Sequence, residues 1–171
     1  RAYLGPCYMS GLTYQRADGS RAQHWDEAKG LAGLEDAARF IADFDCSAQG
    51  RIRAFLAPDR IETQMPRVLE RTAALQRESG VPMRLHCCQS VYEFETVREL
   101  RGHTPLGWLE DLGLLTERAI LPHGIYISGH PLVSVAGDAD MQRLVASGAT
   151  VAHCPVVFGR DGEALASFAS Y

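Results

Sequence analysis

Three histidines stand at the ends of short apolar runs, where their side chains could bind a metal ion or accept a proton. They are His86, His123 and His153, which follow the runs 83–85, 119–121 and 150–152. A neutral imidazole ligates zinc or takes up a proton near neutral pH. Each histidine alone is better explained as a half-buried residue bonded to a neighbouring strand, but the matching placement of all three favours a shared site. His24, His103 and His130 lie outside such runs and are predicted to be ordinary surface residues.

The elements that must position these histidines alternate along the chain. Apolar runs bounded by turn residues predict buried strands over 2–4, 52–56, 83–85, 119–121 and 150–152. Apolar residues at three- and four-residue steps predict helices over 25–44, 66–79, 104–112 and 140–146, the last three ended by Gly80, Gly113 and Gly148. This alternation indicates βα units with a parallel sheet, in which catalytic groups collect at the carboxyl ends of strands.

Two α/β architectures fit this pattern: an open doubly wound sheet, or an arc of a (β/α)8 barrel. No glycine-rich dinucleotide motif or phosphate-binding loop follows any predicted strand, which removes the commonest nucleotide-binding reasons for an open sheet. On this pattern alone both architectures remain possible.

Composition narrows the class of protein. The chain has 171 residues, 46% of them hydrophobic and 22% charged, which is typical of a folded globular domain. A net charge of -4 gives no reason to expect nucleic-acid binding. No apolar stretch reaches the roughly 20 residues of a membrane helix. Five scattered cysteines show no zinc-ribbon spacing and predict a reducing, cytoplasmic setting.

The order of several short motifs resembles the amidohydrolase superfamily. The motifs are 80–86 (GVPMRLH), 120–124 (ILPHG) and 148–155 (GATVAHCP), preceded by 1–6 (RAYLGP) and 55–58 (FLAP). The branch they are most similar to contains cytosine and guanine deaminases, S-adenosylhomocysteine deaminases and triazine chlorohydrolases. The resemblance implies an α/β fold that is a portion of a (β/α)8 TIM-type barrel, about strands 3 to 7. Residues 1–171 would then be one partial metal-dependent hydrolase domain, an interior piece of a longer protein.

The same resemblance implies roles for individual residues. His86 matches the metal ligand at the end of the fifth strand, and His123 matches the sixth-strand histidine that positions substrate and the attacking water. His153 would lie near the substrate. One divalent ion is implied, zinc first, with iron or manganese as alternatives. The implied reaction is hydrolysis of a C–N bond (deamination) or a C–Cl bond in a small heterocyclic substrate, with no nucleic-acid or membrane partner.

Two positions depart from the family's pattern. Gln89 stands where the family usually has a proton-shuttling glutamate, and an amide cannot do general acid–base work. Glu93 and Glu95 follow within two turns, without a sequence reason to reach the site. Arg160 comes where the nucleobase enzymes usually carry a Ser-Asn pair, and it could bind an anionic group of the substrate or remain a solvated loop residue.

The family's first-strand His-x-His pair and eighth-strand aspartate have no counterpart in the sequence. A complete barrel needs about 250 residues, and a catalytic zinc usually has three protein ligands. One alternative is therefore a non-catalytic truncated barrel with an incomplete metal site, which would carry no stoichiometric metal and could form homo-oligomers through its exposed sheet edges.

A further alternative is cysteine chemistry. Cys87 and Cys88 directly follow His86, and strand pleating would turn only one of them inward. A nucleophilic cysteine paired with His123 or His153 is conceivable. Buried cysteines acting as small apolar residues are far commoner, and that is the preferred interpretation.

Overall fold

The computed structural model describes residues 1–171 and divides them into two compact units, 1–84 and 85–171. Both units mix helices with parallel strand pairs, as predicted. None of the helices combines the length and the apolar character needed to cross a bilayer.

The first unit is built on short parallel strands. They are β1 (Ala2–Leu4), β2 (Cys7–Tyr8), β5 (Ile52–Ala54), β6 (Ala57–Pro58) and β7 (Met83–Arg84). Strand β1 pairs with β5 and β2 with β6, both in parallel. The strand predicted over 52–56 stops at residue 54. The next two residues form hydrogen bonds with the segments on either side: Phe55 N donates to Leu4 O at 3.0 Å, and Leu56 N donates to Pro82 O at 2.9 Å.

An antiparallel hairpin, absent from the prediction, follows β2. It joins β3 (Gly11–Gln15) to β4 (Arg21–Trp25). The turn contains Asp18 and Gly19, with Gly19 at φ +84° and Asp18 Oδ1 accepting from Ser20 N at 2.9 Å. An Asp-Gly pair between short runs is a hairpin signal, so the sequence did carry the information.

Two long helices cover the strands of this unit. Helix α1 (Glu27–Phe44) starts two residues later than predicted, because Asp26 is its N-cap and accepts from Lys29 N at 2.9 Å. A single distorted turn, α2 (Ser47–Gly50), follows. Helix α3 (Pro66–Ser79) has the predicted bounds and ends at Gly80 in a left-handed conformation. Helices α1 and α3 pack so closely that a Cβ on Gly30 would lie 2.9 Å from a methyl carbon of Val68.

The second unit contains four further helices and two strands. They are α4 (Val91–Arg101), α5 (Pro105–Asp111), β8 (Ala119–Pro122), α6 (Ala139–Ser147), β9 (Thr150–Ala152) and α7 (Pro155–Gly159). Strand β8 pairs in parallel with β9. Helices α4 and α7 were not predicted, while α5, α6, β8 and β9 lie within one residue of the predicted bounds.

The segment that leads into His86 runs along the other side of β8. Leu85 N donates to Ile120 O at 3.1 Å, and Cys87 N donates to Pro122 O at 3.3 Å. His123 N in turn donates to Ala152 O at 3.0 Å. These bonds hold three parallel segments in register, so that the residues after them emerge at one edge.

Candidate metal centre

The three strand-end histidines follow neighbouring parallel segments of the second unit, and two of them are in contact. The rings of His86 and His123 are stacked, with centroids 5.2 Å apart and planes inclined by 20°. His153 directly follows Ala152, whose carbonyl oxygen accepts from His123 N at 3.0 Å, and its imidazole lowers the pKa of His123. Aromatic side chains border the group: Phe158 contacts His123 edge-on at 4.6 Å between centroids, and Phe168 lies 6.0 Å from His153.

Two imidazole nitrogens in this group are buried without a hydrogen-bond partner. They are Nδ1 of His123 and Nδ1 of His153. Leaving a buried polar atom unpaired costs about 1–3 kcal/mol, so such atoms call for an explanation. A ligand, an ion or water that binds at this edge would satisfy them. Imidazole nitrogens suit a divalent metal ion such as zinc, but the three rings do not bring their nitrogens within 4.8 Å of one another, so a bound ion would need further ligands.

The pKa of His123 falls from its ordinary value of 6.5 to about 4. Burial of the ring is the largest cause, and the neighbouring His86 and His153 lower the pKa further because they would repel its positive charge. The ring is therefore neutral at physiological pH. It can accept a proton or donate one N–H hydrogen bond, but it does not bring a positive charge to the site.

The backbone at the end of β8 is in an unusual conformation. His123 has φ +86°, a region that L-residues with a side chain rarely adopt, and Gly124 follows at φ +58°. A Cβ on Gly124 would lie 2.7 Å from Val151 Cγ1, so only glycine fits against β9 here. Strained backbone of this kind clusters at functional sites.

The loop after His86 is held by a buried carboxylate that the sequence analysis left without a role. Glu93 is fully buried, and its carboxylate accepts from Cys88 N and, at 3.2 Å, from Gln89 N. Ser90 begins α4 as its N-cap and accepts from Glu93 N at 3.1 Å. The Ser90-x-x-Glu93 spacing is a capping-box signature and could have predicted both the helix and the buried glutamate.

The other residues singled out from the sequence lie in different surroundings. Gln89 belongs to this loop and is half-buried. Glu95 holds Ser134, accepting from Ser134 N at 3.1 Å. Arg160 follows α7 with 83% of its side chain exposed, and its Nε lies 3.6 Å from Asp161 Oδ1. Its assignment as an anion-binding residue stays a prediction.

The remaining histidines divide. His24 and His103 are exposed, as predicted. The expectation of a surface position was wrong for His130, which is 8% exposed. Its Nε2 lies 3.2 Å from Ala164 O, and its Nδ1 accepts from Leu132 N at 3.2 Å. Hydrogen bonds between the backbone and both ring nitrogens offset the cost of burying this histidine. The apolar periodicity of the sequence does not predict these bonds.

Both cysteines that follow His86 are buried, although pleating predicted that only one would be. Cys88 adopts φ +59°, which breaks the alternation and turns its side chain inward beside Cys87. No disulfide forms among the five cysteines of the chain.

Comparison with known proteins gives a consistent set of relatives, although no family model matches the chain. The 5-methylthioadenosine/S-adenosylhomocysteine deaminase of Halobacterium salinarum is 32% identical over 130 residues, which are 76% of this chain and 28% of that protein. The enzyme of the same name from Natronomonas pharaonis is 29% identical over a stretch of equal length. The chain thus spans a little more than a quarter of these relatives.

Solved structures share the fold. An adenosine deaminase from Xanthomonas campestris with bound zinc superposes with a TM-score of 0.70 at 20% identity, over 96% of this chain and 33% of that one. Guanine deaminase of E. coli gives 0.75 at 16% identity, over 98% of this chain and 35% of that one. Atrazine chlorohydrolase from Arthrobacter aurescens TC1 in complex with zinc gives a TM-score of 0.73 at 18% identity, over 99% of this chain and 35% of that one. By its sequence relatives and its fold, the chain belongs to the amidohydrolase superfamily.

Proposed function

We propose that this chain carries part of the active site of a metal-dependent hydrolase that cleaves a C–N bond, by deamination, or a C–Cl bond of a small heterocyclic substrate. The observation that carries the proposal is the meeting of His86, His123 and His153 at one edge of parallel strands, with two buried ring nitrogens unpaired. Relatives named as deaminases, and the fold shared with a zinc-bound adenosine deaminase and an atrazine chlorohydrolase, support the same reaction class.

The proposal also includes the position of each strand within a barrel. We assign β1 with β2, β5 with β6, the segment ending at His86, β8 and β9 to strands three to seven of a (β/α)8 barrel. Their parallel pairing and their order along the chain support the assignment. In such barrels the active site lies at the carboxyl ends of the strands, which is where the three histidines stand.

Each histidine would have a different role in the reaction. His86 holds the divalent ion, for which zinc is the first expectation and iron or manganese the alternatives. When bound, the ion supplies Lewis acidity that lowers the pKa of a water molecule towards neutrality. His123, neutral and buried, orients the attacking water or the substrate through a ring nitrogen. His153 lines the substrate side, and Phe158 shields the His123 ring from solvent.

Gln89 limits the acid–base chemistry that this loop provides. Its amide donates and accepts hydrogen bonds but does not exchange a proton near neutral pH. We assign to Gln89 the binding of a polar substituent of the heterocycle, so that proton transfer falls to other groups. Arg160 would bind an anionic substituent of the substrate if the segment after α7 closes over the site.

The test is metal-dependent release of ammonia or chloride from adenine nucleosides, other aminated heterocycles and chlorinated triazines. We expect turnover that a chelator removes and added zinc restores. His86→Asn should lower turnover by about 100-fold or more, since a metal ion contributes several kcal/mol and each 1.4 kcal/mol is a factor of about ten. His24→Gln, an exposed histidine, is the matched control. Turnover that is indifferent to the chelator and to His86→Asn would overturn the proposal.

A further inference from the structure

The segment that carries His86 also brings two thiols and a carboxylate together in the interior of the second unit. Cys87 Sγ and Cys88 Sγ lie 3.6 Å apart. With a carboxylate oxygen of Glu93 they form a group whose ligand atoms all lie within 4.8 Å of one another. All three residues are fully buried, and the function proposed above uses none of them.

The distance between the two sulfurs indicates which coordination geometry would fit. Zinc–sulfur bonds of about 2.3 Å at the tetrahedral angle place two thiolate sulfurs about 3.8 Å apart. Linear coordination by the same bonds would need about 4.6 Å, and a disulfide needs about 2.05 Å. The observed 3.6 Å is nearest to the tetrahedral value.

We propose that Cys87, Cys88 and Glu93 form a second metal site, separate from the histidines, for a thiophilic divalent cation that accepts tetrahedral coordination, such as Zn²⁺ or Cd²⁺. On binding, the two S–H bonds break, two sulfur–metal bonds form, and both protons pass to solvent. The ligand set of two thiolates and one carboxylate matches the preference of these ions for sulfur with borderline oxygen donors.

The site is distinct from the histidine group because the backbone turns the side chains apart. From Met83 to Cys87 buried and half-buried residues alternate, with Leu85 and Cys87 buried and His86 between them half-buried. Successive side chains of an extended segment point to opposite faces, so the Cys87 thiol points away from the face that carries the His86 ring. The positive φ of Cys88 then brings the second thiol to the side of Cys87.

The surroundings favour a cation. Burial, the neighbouring Cys87 and the carboxylates of Glu93 and Asp140 raise the pKa of the Cys88 thiol, so a bound cation has to displace its proton. The same two carboxylates favour a positive charge bound beside them. Glu93 already accepts from two backbone amides of the loop. A carboxylate offers about four acceptor positions, so binding a metal through one oxygen is compatible with those bonds.

The test is titration of Cd²⁺ into the reduced chain, followed by the ultraviolet charge-transfer band of cadmium thiolates. The starting protein carries Cys7→Ser and Cys46→Ser, which remove the two exposed thiols. We expect the band to saturate at about one ion per chain, with an intensity that corresponds to two thiolates. Absence of the band at saturating Cd²⁺ would overturn the proposal without the need for any variant of the buried residues.

Three variants then assign the ligands. Cys87→Ala and Cys88→Ala should each weaken Cd²⁺ binding by about 100-fold or more and halve the band, since loss of an outer partner alone costs 10- to 100-fold. His86→Ala should leave the band unchanged, which separates this site from the histidine centre and from the fate of the hydrolase proposal. A band that survives loss of both buried cysteines, or that disappears with His86→Ala, would contradict the assignment.

If a cysteine variant fails to fold, the protection of the two thiols from alkylation by bound Cd²⁺ is measured in its place. Bound Cd²⁺ should slow alkylation of Cys87 and Cys88 under partly denaturing conditions, as read by mass spectrometry of the peptides, while Cys154 serves as the internal control. Equal alkylation with and without the ion would overturn the proposal.

Discussion

His123 combines three properties that rarely occur together: a strained backbone, a buried ring and an unpaired ring nitrogen. Burial next to two other imidazoles holds it neutral. A neutral ring accepts a hydrogen bond from water or substrate without adding to the positive charge of a nearby ion. The left-handed backbone at His123 sets the direction in which its imidazole leaves the end of β8.

The lowered pKa of His123 predicts how stability depends on pH. The unfolded chain takes up a proton at this residue near pH 6.5, whereas the folded chain takes it up only near pH 4. The contribution of His123 to the free energy of unfolding should therefore be fully present above about pH 6.5. It should fall as the pH is lowered towards 4, because the unfolded state binds more protons than the folded state in that range. His123→Gln should flatten this part of the curve, as measured by urea unfolding of the metal-free chain at several pH values. An unchanged slope in His123→Gln, with the exposed His24→Gln as control, would contradict the assignment.

Glu93 offers a second prediction at the scale of a residue. Its carboxylate satisfies two buried backbone amides in the loop after His86. Glu93→Ala should lower the free energy of unfolding by about 2–6 kcal/mol, because two donors lose their partner and each costs about 1–3 kcal/mol. Glu99→Ala, an exposed residue of the same helix, should change stability by less than about 0.5 kcal/mol. Equal effects of the two substitutions in urea unfolding would show that the loop does not depend on Glu93.

At the scale of elements, the strand ends are held together by close packing between β8 and β9. Gly124→Ala places a Cβ 2.7 Å from Val151 Cγ1 at a φ of +58°. We expect a loss of about 2–4 kcal/mol, the sum of left-handed backbone strain and overpacking. Gly102→Ala, also at positive φ but with open space around it, should cost only about 1 kcal/mol.

Shortening Val151 tests the cause of that difference. In the double variant Gly124→Ala with Val151→Ala, the steric part should be relieved, so the measured coupling between the two substitutions should be favourable. Thermal or urea unfolding of the four proteins gives this coupling directly. Strictly additive effects would mean that the contact between Gly124 and Val151 does not restrict the site.

The helices and strands could be predicted from the sequence where several signals, such as apolar spacing and a terminating glycine, agree. Helix α3 was predicted to the residue because Pro66, its apolar steps and Gly80 all agree. The hairpin and α4 lie outside the predicted elements although Asp18-Gly19 and Ser90-x-x-Glu93 signal them, because these signals are local and do not show in the apolar periodicity. Burial of His130 and Cys88 was not predictable in this way, because it depends on a backbone bond to Ala164 and on a left-handed residue.

At the scale of the whole molecule, the chain corresponds to a little more than a quarter of its deaminase relatives and about a third of the solved structures with the same fold. It contains three histidines of the candidate centre in one of two compact units. The order of strand-end motifs was enough to predict the family and the α/β fold, because barrel chemistry is distributed along the sequence one strand at a time. Substrate specificity lies in the βα loops and is a matter for experiment.

Metal content is the sharpest test of His86 as a metal ligand, provided that the thiol site is removed first. We would measure zinc, iron and manganese per chain in Cys87→Ala/Cys88→Ala, and in the same protein with His86→Ala added. We expect about one ion per chain in the first protein and its loss in the second, since a catalytic ion needs its histidine ligands. Absence of metal from both proteins after growth in supplemented medium, or an equal content in both, would contradict the assignment of His86 as a metal ligand.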